Sequence, residues 1–248
     1  MSGHSKWSKI KHQKETTDAV KGKIFTKMAN IIIIAVQQGG GNSDPDTNFK
    51  LRMAIDKARN VNMPKEKIER AIERGLGKGE GSQIEGTVYE AFGPSGVGII
   101  IEAATNSKTR TVSEVKNTLE RNGGVLAATG AVSHMFKFVG QITVIKDGKS
   151  NDDIMEIALD SGVEDIEDLG DTIELYTEPK DVHKIKELII QKNLKVSNFE
   201  LIYRPINTIS ISEKDKAQKL LKLLLLLEEI EDVQKVFSNF DMPDELMG

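Results

Sequence analysis

The sequence contains no cysteine, and this absence excludes whole classes of chemistry. A chain without thiols has no disulfide framework, no cysteine–zinc site and no cysteine nucleophile. Such a composition is typical of a reducing compartment, so we expect a cytoplasmic protein. The longest aliphatic runs, at residues 31–36 and 223–227, are far shorter than the roughly 20 residues of a membrane-spanning helix. We therefore expect no membrane association. We also expect no secretory signal, because no apolar segment follows the charged start.

Residue patterns typical of catalysis or cofactor binding are equally scarce. The acidic run at residues 164–171 lacks the pattern of a calcium loop, and we interpret it as a solvated edge. The glycine-rich residues 75–81, GLGKGEG, lack the spacing of a phosphate loop, which favours a linker. We place His134, which alternates with two phenylalanines, on a strand face. We expect no enzymatic activity, no cofactor and no metal. The four histidines show no metal-ligand spacing: His4, His12, His134 and His183.

The net charge of −4 hides a strong asymmetry along the chain. Residues 1–78 hold 16 Lys and Arg against 8 Asp and Glu, a net charge of +8. Residues 79–248 hold 18 against 30, a net charge of −12. A basic segment on an acidic body is the pattern expected when a protein binds a polyanion through one part of its surface. The alternative is that this charge asymmetry has no role in binding a polyanion.

The start of the chain, GHSKWSKIKHQK at residues 3–14, places much of this positive charge around the only tryptophan. Its lysines suit phosphate oxygens, and an indole suits stacking on a base. We predict that this stretch contacts nucleic acid. The alternative is a solvated tail whose tryptophan docks onto the helices. The predicted contact residues in this stretch are Lys6, Trp7, Lys9, Lys11, His12 and Lys14.

Three helices are predicted in the basic segment. Apolar residues at helical spacing predict the first over residues 18–38, where three glycines stop it. The second is predicted at about residues 47–60. The third has Pro64 in its first turn and ends at Gly75 in the manner of a glycine C-cap. The glycine-rich residues 75–82 then mark a domain boundary.

The rest of the chain alternates strands and helices. A helix capped by Thr111 and Glu114 is predicted between two strands. From residue 141 the order strand, helix, strand, strand, helix, strand is that of a ferredoxin-like unit. A further strand, a long helix and a last strand follow, and these complete the sheet begun near residue 85. The predicted fold class is α+β: an N-terminal three-helix domain (1–78), then a discontinuous α/β domain (84–140 plus 206–248) with a ferredoxin-like α/β domain (141–205) inserted in it.

Further cations on the predicted helices extend the candidate site. Lys23 lies on the first helix, while Arg52, Lys57 and Arg59 lie around the second. We predict that these four residues also contact nucleic acid. A solvated basic face is an equally open interpretation at this point.

Helical spacing also predicts internal pairing of part of this charge. Asp56 stands three residues before Arg59, and Glu66 stands four residues before Arg70. Lys65 and Arg74 add charge to the third helix. A weaker anion site is predicted at residues 108–110, just ahead of the helix expected to begin at Thr111, because a helix N-terminus attracts anions.

These residues carry a resemblance to a known family. GHSKWSKIKHQK, GKIFTK, NMPKEKIERAIERGLG, YEAFGPSG, RTVSEVK and EDVQKVFSN stand in the order found in YebC/PmpR proteins, a bacterial family related to mitochondrial translational activators. The resemblance runs nearly end to end. It implies three domains, with the last inserted in the middle one, a cytoplasmic role in the regulation of gene expression, and no enzymatic activity.

The resemblance leaves two hypotheses for function. Members of the family are described as DNA-binding transcriptional regulators, and this is our first hypothesis. Some resemble ribosome-associated factors that relieve stalls such as those at proline runs, so the rival is a translation factor that binds ribosomal RNA or tRNA. A basic tail with one aromatic suits irregular RNA as well as DNA. A small-molecule sensor is a distant third hypothesis. The sequence does not decide between a monomer and a weak oligomer.

Overall fold

A computed structural model of the chain describes residues 18–78 and 83–246. The α-helices in these residues are α1 (Asp18–Gln38), α2 (Phe49–Asn60), α3 (Lys65–Gly75), α4 (Lys108–Arg121), α5 (Asn151–Asp160), α6 (Val182–Gln191) and α7 (Lys214–Glu229). The strands are β1 (Glu85–Phe92), β2 (Gly98–Thr105), β3 (Val125–Leu126), β4 (Phe136–Ile145), β5 (Asp165–Asp168), β6 (Thr172–Thr177), β7 (Lys195–Pro205), β8 (Ile209–Ser210), β9 (Val233–Ser238) and β10 (Phe240–Asp241). This mixed α/β architecture confirms the predicted fold class.

The chain forms two compact units. One is Phe136–Arg204, and the other combines the residues before and after that stretch. Each unit is described by itself below. The exact limits of the three domains predicted from the sequence stay a prediction.

The N-terminal helices pack around a small apolar core. The bounds of α1 agree with the prediction, while α2 begins at Phe49, two residues later than expected. Each helix contributes buried residues at helical spacing, as an amphipathic helix must. The core comprises Ile32, Ile33, Ala35, Val36, Leu51, Ala54, Ile55, Ala58, Met63, Ile68 and Ala71.

Gly75 allows α3 to approach α1 closely. A Cβ added at Gly75 would lie 2.7 Å from Val36 Cβ and 3.1 Å from the Ile33 carbonyl oxygen, so no larger residue fits. Gly75 is the buried last residue of α3, and the left-handed backbone that follows the helix is at Gly77 (φ +76°). The prediction that Gly75 is the C-cap was therefore wrong. Pro64 is the N-cap residue rather than a residue of the first turn.

Asn48 closes the turn between α1 and α2. Its side-chain oxygen accepts a hydrogen bond from Leu51 N at 3.1 Å and so caps α2, while Nδ2 donates to the carbonyl oxygens of Ala35 (3.0 Å) and Asn42 (2.9 Å). The side chain is buried, and both of its N–H groups and its oxygen are hydrogen-bonded. Gly39 makes room for it, since a Cβ there would lie 2.3 Å from Asn48 Nδ2. This pair explains why glycine and asparagine stand at these positions.

The first α/β sheet is composed of residues far apart in the sequence. Its strand order is β3-β1-β2-β9, with β1 antiparallel to β2 and β2 antiparallel to β9. Helices α4 and α7 contribute buried residues to the same core as the sheet, among them Leu119, Leu223 and Leu227. Because β9 follows the ferredoxin-like unit in sequence, the C-terminal residues complete the sheet that β1 begins.

Asn239 joins the two chain segments that build this sheet. Its side-chain oxygen accepts a hydrogen bond from Gly98 N at 2.8 Å, and its own N–H donates to the Gly98 carbonyl oxygen at 3.2 Å. Its carbonyl oxygen accepts from Ile209 N at 2.7 Å. Asn239 is buried, so these hydrogen bonds hold the C-terminal strand and β8 beside β2.

The helix after β2 begins earlier than predicted. Its N-cap is Ser107, whose hydroxyl accepts a hydrogen bond from Arg110 N. Thr111 lies inside α4 and is fully buried, so the predicted capping box of Thr111 and Glu114 was wrong. The hydroxyl of Thr111 instead donates a hydrogen bond to Asp232 at 2.6 Å.

Residues 136–204 form the ferredoxin-like unit. Four strands in the order β5-β6-β4-β7 carry the connections β4-α5-β5-β6-α6-β7. The first strand begins at Phe136 rather than near residue 141. His134 precedes it in a short 3₁₀ helix, Ser133–Met135, where it is exposed, so its predicted place on a strand face was wrong.

Gly39→Ala should lower the free energy of unfolding by about 2–3 kcal/mol, because the new methyl displaces the Asn48 amide from its cap and its two buried acceptors. Gly22→Ala is the matched control, since no atom lies within 4 Å of the added Cβ in α1. It should raise the free energy of unfolding by about 0.5–1 kcal/mol. Urea unfolding followed by circular dichroism measures both changes. Equal effects of the two variants would show that the contact with Asn48 is unimportant.

Candidate nucleic-acid interface

The predicted contact residues nearest the start of the chain, Lys6, Trp7, Lys9, Lys11, His12 and Lys14, lie outside the described residues. Lys23, Arg52, Lys57 and Arg59 are described, and their positions on α1 and α2 decide whether they form one surface.

Lys23 and Phe25 lie on different sides of α1. The Phe25 ring contacts Lys67 of α3. At about 100° per residue, Lys23 and Phe25 point about 160° apart, while Lys27 follows Lys23 on the same side. Lys23 is exposed. Lys27 Nζ donates to the Glu228 carbonyl oxygen at 2.9 Å, close to the C-terminus of α7. A cation at the negative end of a helix dipole stabilises the fold. Lys27 is therefore a structural residue, and Lys23 is the exposed cation of this side.

Arg52 and Arg59 share one side of α2, but Lys57 does not. Positions 52, 56 and 59 follow the spacing of a single helix face, whereas position 57 lies about 140° from position 52. The predicted pair is present: Arg59 Nη1 lies 3.8 Å from Asp56 Oδ1. Arg52 is half-buried, and its Nε is buried without a hydrogen-bond partner among the described residues. The cations predicted on α2 thus point in two directions.

The charges of α3 are paired differently from the prediction. Lys65 Nζ lies 3.5 Å from Glu69 Oε1, and Lys67 Nζ lies 4.9 Å from the centre of the Phe25 ring. In residues 18–78 and 83–246, Arg70 has no carboxylate oxygen within 4 Å, so its predicted pair with Glu66 is not formed. Arg74 has none within that distance in the same residues. Two arginines on one helix are therefore left without a carboxylate partner in the described chain.

The cations at the start of α4 are fully engaged. Lys108 Nζ lies 2.6 Å from Glu85 Oε2, and Arg110 Nη2 lies 2.8 Å from Asp232 Oδ2. Both residues belong to the first turn of α4 and do not precede the helix. The predicted anion site at residues 108–110 was therefore wrong, because carboxylates of the protein itself occupy these cations.

Asp232 is the acceptor around which this end of the sheet is organised. Its Oδ2 accepts hydrogen bonds from the hydroxyls of Thr111 (2.6 Å) and Thr105 (3.0 Å) as well as from Arg110. Burial acts to raise the pKa of the Asp232 carboxyl, but the hydrogen bonds from Thr111, Arg110 and Thr105 outweigh burial and hold the pKa below its ordinary value. The charged form is therefore stabilised by folding.

A second buried carboxylate, Glu90, holds the loop before the ferredoxin-like unit. Its oxygens accept hydrogen bonds from the backbone N–H groups of Gly130 (2.7 Å), Val132 (2.5 Å) and Ser133 (2.9 Å). Burial acts to raise the pKa of Glu90, and these backbone donors more than compensate, so the pKa is lowered. Glu90 is thus a structural anchor for residues 130–133.

The acidic run at residues 164–171 forms part of an edge strand, as predicted. Strand β5 stands at the end of its sheet, but its carboxylates are paired rather than free. Asp168 Oδ1 lies 2.7 Å from Lys146 Nζ, Glu164 Oε2 lies 3.0 Å from Lys137 Nζ, and Asp165 binds Arg204. Neither this run nor any other part of the described chain groups three His, Asp or Glu residues for a metal ion.

A cleft of about 590 Å³ lies between α4 and α7. Its volume is in the range of small-molecule pockets, but its lining is largely polar and charged, with Leu226 and Ile230 as the apolar side chains. None of the helices in residues 18–78 and 83–246 combines the length and apolar character required to cross a membrane.

The fold defines the class of this protein: an N-terminal helical part followed by an α/β sheet completed from both sides of an inserted ferredoxin-like unit. Family models agree with this description. The model for the TACO1/YebC protein N-terminal domain matches residues 5–78, and the model for the TACO1/YebC second and third domain matches residues 84–240. The chain belongs to the TACO1/YebC family, which confirms the resemblance seen in the sequence.

Individual relatives match along the full length. A protein of Thermoanaerobacter pseudethanolicus is 46% identical over 248 residues, covering 99% of each chain. One from Dictyoglomus thermophilum is 42% identical over 248 residues, covering 100% of this chain and 98% of the relative. Each bears the name "Probable transcriptional regulatory protein". The crystal structure of a conserved hypothetical protein from Aquifex aeolicus matches with a TM-score of 0.85 and 38% identity, covering 96% of this chain and 98% of that one.

Asp232→Asn should destabilise the protein at neutral pH by about 2 kcal/mol, because three donors lose a charged acceptor. The pKa of Asp232 is depressed in the folded state, so its contribution is present above the pKa of the unfolded chain, about 3.9, and is lost as pH falls through the folded value. The difference in unfolding free energy between wild type and variant should therefore shrink as pH is lowered below about 4.

Asp46→Asn is the matched control, because Asp46 is exposed. Urea unfolding at a series of pH values measures the free energy of each protein. A difference between wild type and Asp232→Asn that stays constant down to pH 2 would contradict the assignment of a stabilised carboxylate.

Proposed function

We propose that this protein is a nucleic-acid-binding regulator of gene expression and that its target is duplex DNA. The observation that carries the proposal is the separation of charge along the chain, with a net charge of +8 in residues 1–78 and −12 in residues 79–248. Within the helical segment, Arg70 and Arg74 have no carboxylate partner among the described residues, and Lys23 is exposed. The names of the relatives point to the same role.

The helical segment would supply the affinity for the phosphates. Residues 1–78 carry a net charge of +8, and residues 79–248 carry −12, so a polyanion is attracted by the first part and repelled by the second. We assign phosphate contacts to Lys6, Lys9, Lys11 and Lys14, and we assign to the Trp7 indole a position wedged against the bases of the duplex. The acidic α/β residues 84–248 would repel the target from their own surface, and so restrict its direction of approach, and would contact protein partners. We place this activity in the cytoplasm.

A translation factor that binds ribosomal RNA or tRNA is the second candidate. The specific observation in its favour is the composition of residues 3–14, which combine four lysines with one tryptophan. Sequence-specific RNA recognition uses aromatic side chains that stack on unpaired bases, and such bases are common in RNA and absent from an intact duplex. Sedimentation of a cell lysate at low salt separates the two candidates. Cofractionation with ribosomes favours the second, and recovery with duplex DNA favours the first.

Replacing Lys6, Lys9, Lys11 and Lys14 together by alanine should flatten the dependence of log K on log [salt] for duplex DNA by about 3.6, since each of the four phosphate contacts contributes roughly 0.9. Fluorescence anisotropy of a labelled duplex across a salt series, with the full chain, measures this slope. Trp7→Ala is the uncharged counterpart. It should lose about 1–3 kcal/mol of affinity with nearly the same slope, because an uncharged indole releases few ions.

A quadruple variant that keeps the wild-type slope would move the phosphate contacts away from residues 3–14. A Trp7→Ala variant with a lower melting temperature and unchanged affinity would make the indole a structural anchor. Failure of the wild-type chain to bind duplex DNA at any salt concentration would remove the proposed target itself.

A further inference from the structure

Helix α3 separates its charges by sign along two neighbouring stripes. At about 100° per residue, Lys67, Arg70 and Arg74 share one side, while Glu66, Glu69 and Glu73 share another about 100° away. The remaining side of the helix carries the apolar residues that face the core, including Ile68 and Ala71. The basic stripe is defined as Lys67, Arg70 and Arg74, and the acidic stripe as Glu66, Glu69 and Glu73. All six are exposed except Arg74, which is half-buried.

Helix stability does not explain all of this separation. Neighbours three and four positions apart on a helix touch, so Arg70 meets the like charges of Lys67 and Arg74 as well as the opposite charges of Glu66 and Glu73. The pair that helical spacing favours, Glu66 with Arg70, is not formed in the described chain. The ion pair on this helix joins Lys65 to Glu69, on the acidic side, at 3.5 Å. A row of like charges that folding does not require is a mark of a binding surface.

Packing fixes the direction of the basic stripe. Lys67 Nζ sits 4.9 Å from the centre of the Phe25 ring on α1, a cation–π contact that restrains the stripe at its N-terminal end. Gly75, at the other end of α3, is buried against Val36 of α1. Because both ends of α3 are packed on α1, the Cα atoms of the three cations form a row whose direction is fixed.

We propose that the basic stripe of α3 lies along the phosphate backbone of duplex DNA, and that the acidic stripe prevents the duplex from approaching the other side of the helix. Successive residues of the row are separated along the helix axis by about 4.5 and 6 Å, at 1.5 Å per residue. A duplex presents phosphates at closely spaced, regular intervals, so it matches a row of fixed direction better than a single anion does. This inference rests on the proposed function and names a part of its surface.

Two variants with opposite expected effects test the basic and acidic stripes. Arg70→Gln with Arg74→Gln should weaken binding to duplex DNA at least about tenfold at low salt and flatten the slope of log K against log [salt] by about 1.8, two contacts at roughly 0.9 each. Glu66→Gln with Glu69→Gln and Glu73→Gln should strengthen binding several-fold, because the repulsion on the other side is removed. Fluorescence anisotropy with the full chain gives both constants.

Two controls are needed. The first tests whether the loss of any two cations has the same effect, and the second tests whether the effect comes from lost charge or from a change in folding. Lys116→Gln with Lys216→Gln also removes two exposed cations from helices, each paired with a glutamate, and should leave the slope unchanged. Arg70→Lys with Arg74→Lys keeps the charge and should keep the slope. If the glutamine variant has a lower melting temperature, the lysine variant still shows whether positive charge at positions 70 and 74 is sufficient for the wild-type slope.

The outcomes distinguish this inference from the proposed function. Wild-type binding to duplex DNA with an unchanged slope in the Arg70→Gln, Arg74→Gln variant would overturn the stripe and leave the function standing. Absence of wild-type binding to duplex DNA would overturn the proposed function and the inference with it. A variant that loses binding to a single-stranded RNA of the same length but keeps binding to the duplex would show that the stripe serves RNA, which also overturns the inference.

Discussion

The close contact between Gly75 and Val36 determines how the N-terminal helices present their charge. A side chain at position 75 would meet Val36 Cβ at 2.7 Å, so α3 packs on α1 only because this residue has none. With that contact made, Ile68 and Ala71 are buried against the helical core. The buried side of a helix fixes its exposed sides. The outward direction of Arg70 and Arg74 is therefore a consequence of core packing, and no ion pair of their own determines it.

Several residues in the sequence stretches that carry the family likeness support the fold rather than a site. Glu90 holds a loop, and Asp232 and Asn239 join distant segments, each through hydrogen bonds of a buried polar group. A buried polar side chain is tolerated only when its hydrogen bonds are satisfied, so such residues are strongly constrained by structure. A motif in this sequence is therefore weak evidence for function, and exposed, unpaired charge is the better guide.

Local signals in the sequence predict the elements but not their long-range partners. Apolar spacing placed α1 at residues 18–38, and the alternation of strands and helices gave the ferredoxin-like order. The start of α4 was misplaced because Thr111 bonds Asp232, 121 residues away. For the candidate site, the charge asymmetry was visible in the sequence. Helical spacing predicted the pair of Arg59 with Asp56, but it did not predict long-range pairs such as Arg110 with Asp232, which only the fold brings together.

Hydrogen–deuterium exchange of the full chain, alone and saturated with a short DNA duplex, tests the central claim most directly. That claim is that the basic helical segment binds nucleic acid while the acidic α/β residues do not. The account predicts slower exchange in residues 3–14 and in α3 on adding the duplex, with unchanged exchange in residues 136–204. Protection confined to residues 136–204, with none in the helical segment, would contradict it.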